Sequence, residues 1–533
     1  MTATRLTSLL VVLAVLQSVA WSRTVHIETG LIEGTPDGTL TVYKSVPFAA
    51  PPVGQLRWRA PEPPLTWTGV RRADKFGPIC MQSGVSVPGA AEEAVNEDCL
   101  TLNIWTPATS GNDKLPVMVW IPGGGFTQES ASMPLYWGDM LARRGVVVVT
   151  INYRVGVFGF LAHPELTRES PNHSSGNYGL LDQIAALAWI KRNVAAFGGD
   201  QSLVTIWGQS AGSMSVSLLM ASPLARGLFQ RAIGDSGGFF VPPAATGSAA
   251  DWFLTGAERQ GVKFAAAVGV SSTAASSIEA LRKLGPQQIL KASDAGTTHP
   301  IMDGYVLPEE PYDAFRAGHQ NDVPLLLGSN AEEAKPLIAN MDVKLTTFGD
   351  DVGKAFGGDS MRDLANEYLK IYPAKTDAEA RQTRARFERD LRFGWDVWTW
   401  ARMQSKTGKG EVFYYYIKHS PPYPEGSPFK SWGAGHWQEL RYAFDHLAQI
   451  QWAWTDADHA LANTMAAYWT NFSRSGDPNG AGVPVWPNFT TGNERLMNFD
   501  GTVAVAGVPN LTGLRLLDDH FARLRAATSA LQK

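Results

Sequence analysis

Leu203-Val204-Thr205-Ile206-Trp207-Gly208-Gln209-Ser210-Ala211-Gly212 is an apolar, β-branched run that ends in Gly-x-Ser-x-Gly. A buried strand that enters a tight turn with serine at its apex, and then a helix, reads as a nucleophile elbow. Such a turn strains the serine backbone, so the residues two positions away on each side must lack bulk. Gly208 and Gly212 meet that demand, and Met214–Met220 reads as the helix that follows. A second Gly-x-Ser-x-Gly stands at Gly234-Asp235-Ser236-Gly237-Gly238 and spells the motif around the nucleophile of chymotrypsin-like proteases. Those proteases are all-β and order their triad His, Asp, Ser. Strands and helices alternate upstream of Ser236, and no helical run starts after Gly238. This stretch therefore reads as a strand-end turn.

Outward from the elbow, Val117–Ile121, Val146–Asn152, Val323–Leu327 and Val412–Ile417 are apolar runs bounded by turn signals. Strands buried on both faces have this pattern. Helix-like segments such as Leu181–Phe197 lie between them. The alternation predicts an α/β fold: a large, mostly parallel central sheet covered by helices on both faces. Val25–Glu33 and Leu40–Val46 read as short strands of a mostly antiparallel opening region. Asp351–Arg392, charged and helix-like, and His419–Trp432, rich in Pro, Ser and Gly, read as cap or rim insertions around a site mouth. No repeat, low-complexity tract or long linker divides the chain, so residues 23–533 read as a single domain.

The first twenty residues read as a secretory signal peptide. Arg5 precedes an apolar stretch from Leu9 to Leu16, and Ser18-Val19-Ala20 offers a cleavage site after Ala20, with Ser22 as the alternative. The stretch is short for a bilayer span, so the expectation is a secreted or periplasmic protein with no stable membrane insertion. In such a compartment Cys80 and Cys99 are expected to pair, contributing about 3 kcal/mol through loop closure. A net charge of −4 without any basic run gives no reason to expect nucleic acid as a partner. No Cys or His cluster has ligand spacing, so no metal is expected. Oligomeric state is left open.

A serine hydroxyl needs a base to take its proton, an acid to orient that base, and fixed N–H donors for the developing oxyanion. Gly123-Gly124-Gly125-Phe126 follows the strand Val117–Ile121, where bare backbone N–H groups can point into a cavity, and the N–H of Ala211 completes the set. Among ten histidines, His436 stands out in the Gly-rich stretch Gly433-Ala434-Gly435-His436-Trp437, beyond the strand Val412–Ile417. Its competitor His446 follows Tyr442-Ala443-Phe444-Asp445, which reads as helical. Glu333 follows Val323–Leu327 through Gly328-Ser329-Asn330-Ala331; Glu332 is adjacent, and spacing does not separate the two. The order Ser210, Glu333, His436 is the one α/β-hydrolases use.

Further stretches carry a resemblance. These are Phe48-Ala49-Ala50-Pro51-Pro52-Val53-Gly54 with Leu56-Arg57-Trp58, then Glu97-Asp98-Cys99-Leu100-Thr101-Leu102-Asn103-Ile104-Trp105. Asn177-Tyr178-Gly179 with Asp182-Gln183, Phe197-Gly198-Gly199-Asp200, Gly476-Asp477-Pro478-Asn479 and Trp486-Pro487 join them. On these the chain resembles the type-B carboxylesterases, the family of cholinesterases and bacterial para-nitrobenzyl esterases, within the α/β-hydrolase superfamily. The resemblance implies Ser210 as nucleophile, Glu333 rather than Glu332 as acid, and His436 as base. It also implies oxyanion donors at Gly124, Gly125 and Ala211, and the Cys80–Cys99 disulfide. The implied activity is hydrolysis of a small-molecule carboxylic ester without any cofactor. A non-catalytic adhesion or binding member of the same fold is the alternative from another class. Within enzymes, the alternative is an esterase specialised for a bulky natural-product ester. Trp437 and the cluster Trp395, Trp398 and Trp400 could wall a roomy pocket, and core packing is the other reading of that cluster.

Four positions depart from the family pattern. Pro122 stands where relatives usually carry His or Tyr, and Ala334 where Gly is common. The Cys80–Cys99 loop holds no tryptophan, so choline-ester specificity is not expected. Gln209 replaces a frequent Glu beside the nucleophile, removing a negative charge that would favour the imidazolium. Gln209→Glu should therefore move the acid limb of the pH–rate profile to higher pH, and an unshifted or lowered limb would contradict this reading.

Overall fold

The computed structural model describes residues 23–83, 94–246, 249–271 and 276–531. The expected signal peptide, residues 1–20, and residues 84–93 of the loop between the cysteines lie outside them. Strands β1 (Thr24–Ile27), β2 (Gly30–Glu33), β3 (Thr35–Asp37), β4 (Leu40–Pro47), β5 (Val70–Arg72), β6 (Thr101–Thr106) and β7 (Leu115–Ile121) come first. They are followed by β8 (Val147–Ile151), β9 (Gly199–Gln209), β10 (Arg231–Asp235) and β11 (Leu325–Asn330). The last are β12 (Val412–Ile417), β13 (Arg495–Asp500) and β14 (Thr502–Gly507). β1, β2 and β5 form a small sheet of their own. The other strands form one 11-stranded sheet in the order β14-β13-β12-β11-β10-β9-β7-β8-β6-β4-β3. Every neighbouring pair from β8 across to β13 is parallel, and the pairs at both edges are antiparallel.

The apolar runs form strands because both faces of the sheet are covered. Along β7, Val117, Val119 and Ile121 join the same core as the helices Tyr178–Asn193 and Ala211–Ala221. Met118 and Trp120 point the other way, into the core shared with helix Asp456–Ser475. The period-two alternation thus feeds two apolar layers instead of one apolar and one wet face. Val25–Glu33 is divided: Gly30, at φ 145°, turns the chain so that β1 and β2 pair antiparallel. A Cβ at Gly30 would lie 2.8 Å from Trp67 Nε1, so only glycine fits there.

After β7 the chain forms β8 on one side and then returns to form β9 on the other side of β7. The loops leaving β7 and β9 therefore diverge, which opens a crevice at the carboxyl ends of the strands. Around it, the charged segment 351–392 is helical, as read: Phe348–Phe356, Asp359–Ile371 and Asp377–Arg389. A π turn, Asp390–Gly394, joins the last of these to helix Trp395–Thr407. Cys80 and Cys99 form a disulfide with a Cα–Cα distance of 5.0 Å, both buried. Among the described residues no helix is long and apolar enough to cross a membrane.

The elbow is pressed hard against this frame. A Cβ at Gly208 would lie 2.4 Å from the Gly212 carbonyl, and one at Gly212 would lie 2.1 Å from the Ile121 oxygen. Both contacts are with backbone, which cannot swing aside. Gly212→Ala should lower unfolding stability by about 1–3 kcal/mol in chemical denaturation, through overpacking; an unchanged midpoint would contradict the close packing of the elbow on β7.

Candidate active site

Ser210 sits between the last residue of β9 and the first of helix Ala211–Ala221, at φ 56° and ψ −124°. That left-handed conformation is costly for a residue with a Cβ and persists only where the surroundings impose it. Here Ser210 N–H donates to the Asp235 carbonyl of β10 at 2.9 Å. Gly237 closes over the turn, and a Cβ there would lie 2.6 Å from the backbone carbonyl oxygen of Ser210. The serine lines a cavity of about 780 Å³.

His436 lines the same cavity from the loop that follows β12. Its Nδ1 lies 2.6 Å from Glu333 Oε2, and Glu333 is fully buried. The other oxygen of Glu333 accepts the N–H of Asn330, the last residue of β11, at 2.7 Å. Glu332 faces outward and pairs with Lys335 at 3.1 Å. The backbone of Glu332 nevertheless ties the two loops together, because its N–H donates to the Ala434 carbonyl at 3.0 Å. No hydrogen bond joins Ser210 to the imidazole in this structure, a contact that commonly tightens only with substrate bound. The Gln209 amide nitrogen lies 3.2 Å from His436 Nε2, and the Phe393 ring packs on the imidazole at 4.6 Å.

Gly124 and Gly125, at φ 75° and 63°, open the turn after β7 and line the cavity. A Cβ at Gly123 would meet the Gln209 carbonyl at 2.7 Å, so this turn rests directly on the elbow. The Tyr153 hydroxyl donates to the Pro122 carbonyl at 2.9 Å and fixes the turn from behind. Ala211 is the first residue of its helix, where backbone N–H groups lack partners within the helix and carry partial positive charge.

Ser236 is fully buried at φ 55° and does not line the cavity; its hydroxyl donates to Glu439 Oε1 at 3.4 Å. His446 is buried elsewhere, between the Leu135 carbonyl at 3.1 Å and Asp139 at 3.0 Å. Trp395, Trp398 and Trp400 are core residues, and only Trp437 of the four tryptophans faces the cavity. The rim reading holds for 351–392, which supplies Ala355, Phe356, Leu391 and Arg392 to the lining, whereas 419–432 supplies none. A cavity of about 900 Å³ at the opposite ends of the strands, lined by Arg226 and His319, holds none of these groups.

Two buried acids behind the site were not evident from the sequence. Asp235, bonded by the Tyr415 hydroxyl at 2.7 Å and by Trp207 Nε1, has its carboxyl pushed up to about 7 by burial. Glu439 accepts from Asn330 Nδ2, and burial together with the charges of Glu333 and Asp235 holds its carboxyl well above the usual range. Asp235 showed in the sequence only as the variable residue of the second Gly-x-Ser-x-Gly, and Glu439, three positions after His436, stands in no recognisable motif.

The sequence profile of the Carboxylesterase family matches residues 22–511. The chain belongs to the carboxylesterase family. It is 36% identical over 489 residues to a fumonisin B1 esterase of Sphingopyxis macrogoltabida, covering 90% of this chain and 86% of that one. It is 33% identical over 511 residues to the para-nitrobenzyl esterase of Bacillus subtilis, covering 91% and 96%. Among solved structures, a Geobacillus stearothermophilus carboxylesterase superposes with a TM-score of 0.80 at 32% identity, covering 93% of this chain and 99% of that one. This carboxylesterase therefore has the α/β-hydrolase fold and is a carboxylic ester hydrolase of the serine type.

The state of Glu439 has a measurable consequence. Its raised carboxyl keeps a proton in the folded enzyme that the unfolded chain releases above about 4.5. Stability is therefore lost as pH rises from there toward the folded value. Glu439→Gln removes that loss, so its melting temperature relative to wild type should climb between pH 5 and pH 9. A difference that is flat or falls with pH would contradict the assignment.

Proposed function

We propose that this carboxylesterase hydrolyses small-molecule esters through an acyl-enzyme on Ser210, with His436 as base and Glu333 as the acid that orients it. The observation that carries the reading is the 2.6 Å contact between His436 Nδ1 and the buried Glu333 carboxylate, beside a strained serine in the same cavity. With Nδ1–H given to Glu333, Nε2 keeps the lone pair that can take the serine proton. Ser210 Oγ attacks the ester carbonyl, and the oxyanion is held by the N–H groups of Gly124, Gly125 and Ala211. The imidazolium then protonates the leaving alcohol, and the same nitrogen activates water to release the acid.

The reading includes export by a signal peptide over residues 1–20, cut after Ala20 or Ser22, ahead of a single catalytic domain. The Cys80–Cys99 disulfide supports an oxidising compartment. A bulky substrate is favoured by the cavity volume of about 780 Å³ and by the similarity to a fumonisin B1 esterase.

A panel of 4-nitrophenyl esters from acetate to octanoate tests the proposal. Ser210→Ala should cut wild-type turnover by about 10³-fold or more. Turnover that survives Ser210→Ala, or silence of the wild type across the panel, would overturn it.

A further inference from the structure

We infer that Arg392 is a recognition site for a carboxylate carried by the ester, so that this enzyme favours anionic esters over neutral ones of equal length. The inference deepens the proposed function, since it assigns a substrate class to the same cavity.

The π turn Asp390–Gly394 is the structural basis. Successive residues on an α-helix point about 100° apart, so three in a row do not share one wall. Here Leu391, Arg392 and Phe393 all line the cavity, because the wider turn shifts the register of the helix. Phe393 packs on the His436 imidazole at 4.6 Å. Arg392 is thus one residue from the ring that buttresses the proposed base.

The guanidinium is held at one edge and open at the other. Its Nε donates to Glu388 Oε2 at 2.9 Å, and Glu388 is wholly buried. The other Glu388 oxygen takes Arg384 Nε at 2.7 Å. Two guanidinium groups therefore share one carboxylate, which leaves one positive charge unbalanced. The Arg392 guanidinium also lies over the Phe356 ring, 4.7 Å from its centroid, which fixes its plane. Among the described residues, neither terminal nitrogen of Arg392 has a hydrogen-bond partner, Glu388 is the guanidinium's one ion-pair partner, and the side chain is 40% exposed.

A planar fork of N–H donors, locked by Nε and aromatic contact, matches the two oxygens of a carboxylate. The cavity that Arg392 lines has apolar walls at Phe239, Trp252 and Leu337, which give an anionic group no competing partner. Glu129 and Asp396 also line the cavity. Glu129 accepts from the Tyr136 hydroxyl, Asp396 accepts the Phe240 N–H, and neither pairs with Arg392.

Two matched pairs put the charge on either half of the ester. They are mono-4-nitrophenyl glutarate against 4-nitrophenyl pentanoate, and 4-acetoxybenzoate against 4-methylphenyl acetate. In at least one pair the wild type should prefer the anionic ester, and added NaCl should erode that preference because the fork is partly exposed. Arg392→Met should lower the anionic-to-neutral ratio of kcat/KM by about tenfold or more, mainly through KM, while the neutral ester stays within about threefold. Arg392→Lys should recover part of the ratio. Ratios that Arg392→Met leaves unmoved in both pairs, a parallel fall of both esters, or a wild-type preference indifferent to salt would overturn the inference. Failure of the underlying reading is distinct: it is hydrolysis of 4-nitrophenyl pentanoate that persists in Ser210→Ala, whatever the ratios do.

Discussion

Backbone packed on backbone, where the turn after β9 meets the end of β7, is the constraint on which the site depends. Gly212 has room for a hydrogen and nothing more against the Ile121 carbonyl, and Gly123 has the same relation to Gln209. These contacts leave Ser210 one conformation, at φ 56°, with the glycine turn of β7 beside it. The strain is sustained by the flanking strands: the Asp235 carbonyl of β10 takes the serine N–H, and β9 is paired on both sides by parallel neighbours. A rigid sheet thus holds in place a turn that would not survive in an isolated segment.

The proposed acid and base arrive from further along the same edge. β11 and β12 are parallel neighbours, so the loops that leave them lie side by side, joined where the Glu332 N–H meets the Ala434 carbonyl. With that bond in place, and with Asn330 Nδ2 donating to the Gly435 carbonyl, Glu333 faces inward and Glu332 outward. The Asn330 N–H then fixes the inward carboxylate, which meets the imidazole at 2.6 Å. The back of the site is unusually acidic for a buried region. Glu439 and Asp235 sit with Glu333, and burial, with the charge of the neighbouring carboxyls added, holds the carboxyls of Glu439 and Asp235 above the usual range.

Strands buried on both faces were legible because an unbroken β-branched run has few other uses: β7, β8 and β12 lie within two residues of their sequence readings, and β9 begins four residues ahead of Leu203. β10 was legible only as the strand that must precede the turn at Gly234–Gly238, and its bounds were not, since Arg231-Ala232-Ile233-Gly234-Asp235 has charges at both ends. Ser210 and His436 were visible through the glycines that their turns require. Glu333 could be told from Glu332 only by family resemblance, because the deciding partners, Asn330 and Ala434, act through backbone. Arg392 and Glu439 carried no signal, and Asp235 showed only as the variable residue of the second Gly-x-Ser-x-Gly. A charged side chain in a helical stretch reads as solvent-facing, and no residue pattern announces a π turn that rotates it into a cavity.

The claim beneath all of this is that Ser210, and no other serine, is the group that the cavity activates. Treatment with a 4-nitrophenyl alkylphosphonate, followed by peptide mass mapping, reads this directly. The account predicts one stoichiometric adduct on Ser210, lost in His436→Ala. An adduct on Ser236, or labelling of Ser210 that persists without His436, would contradict it.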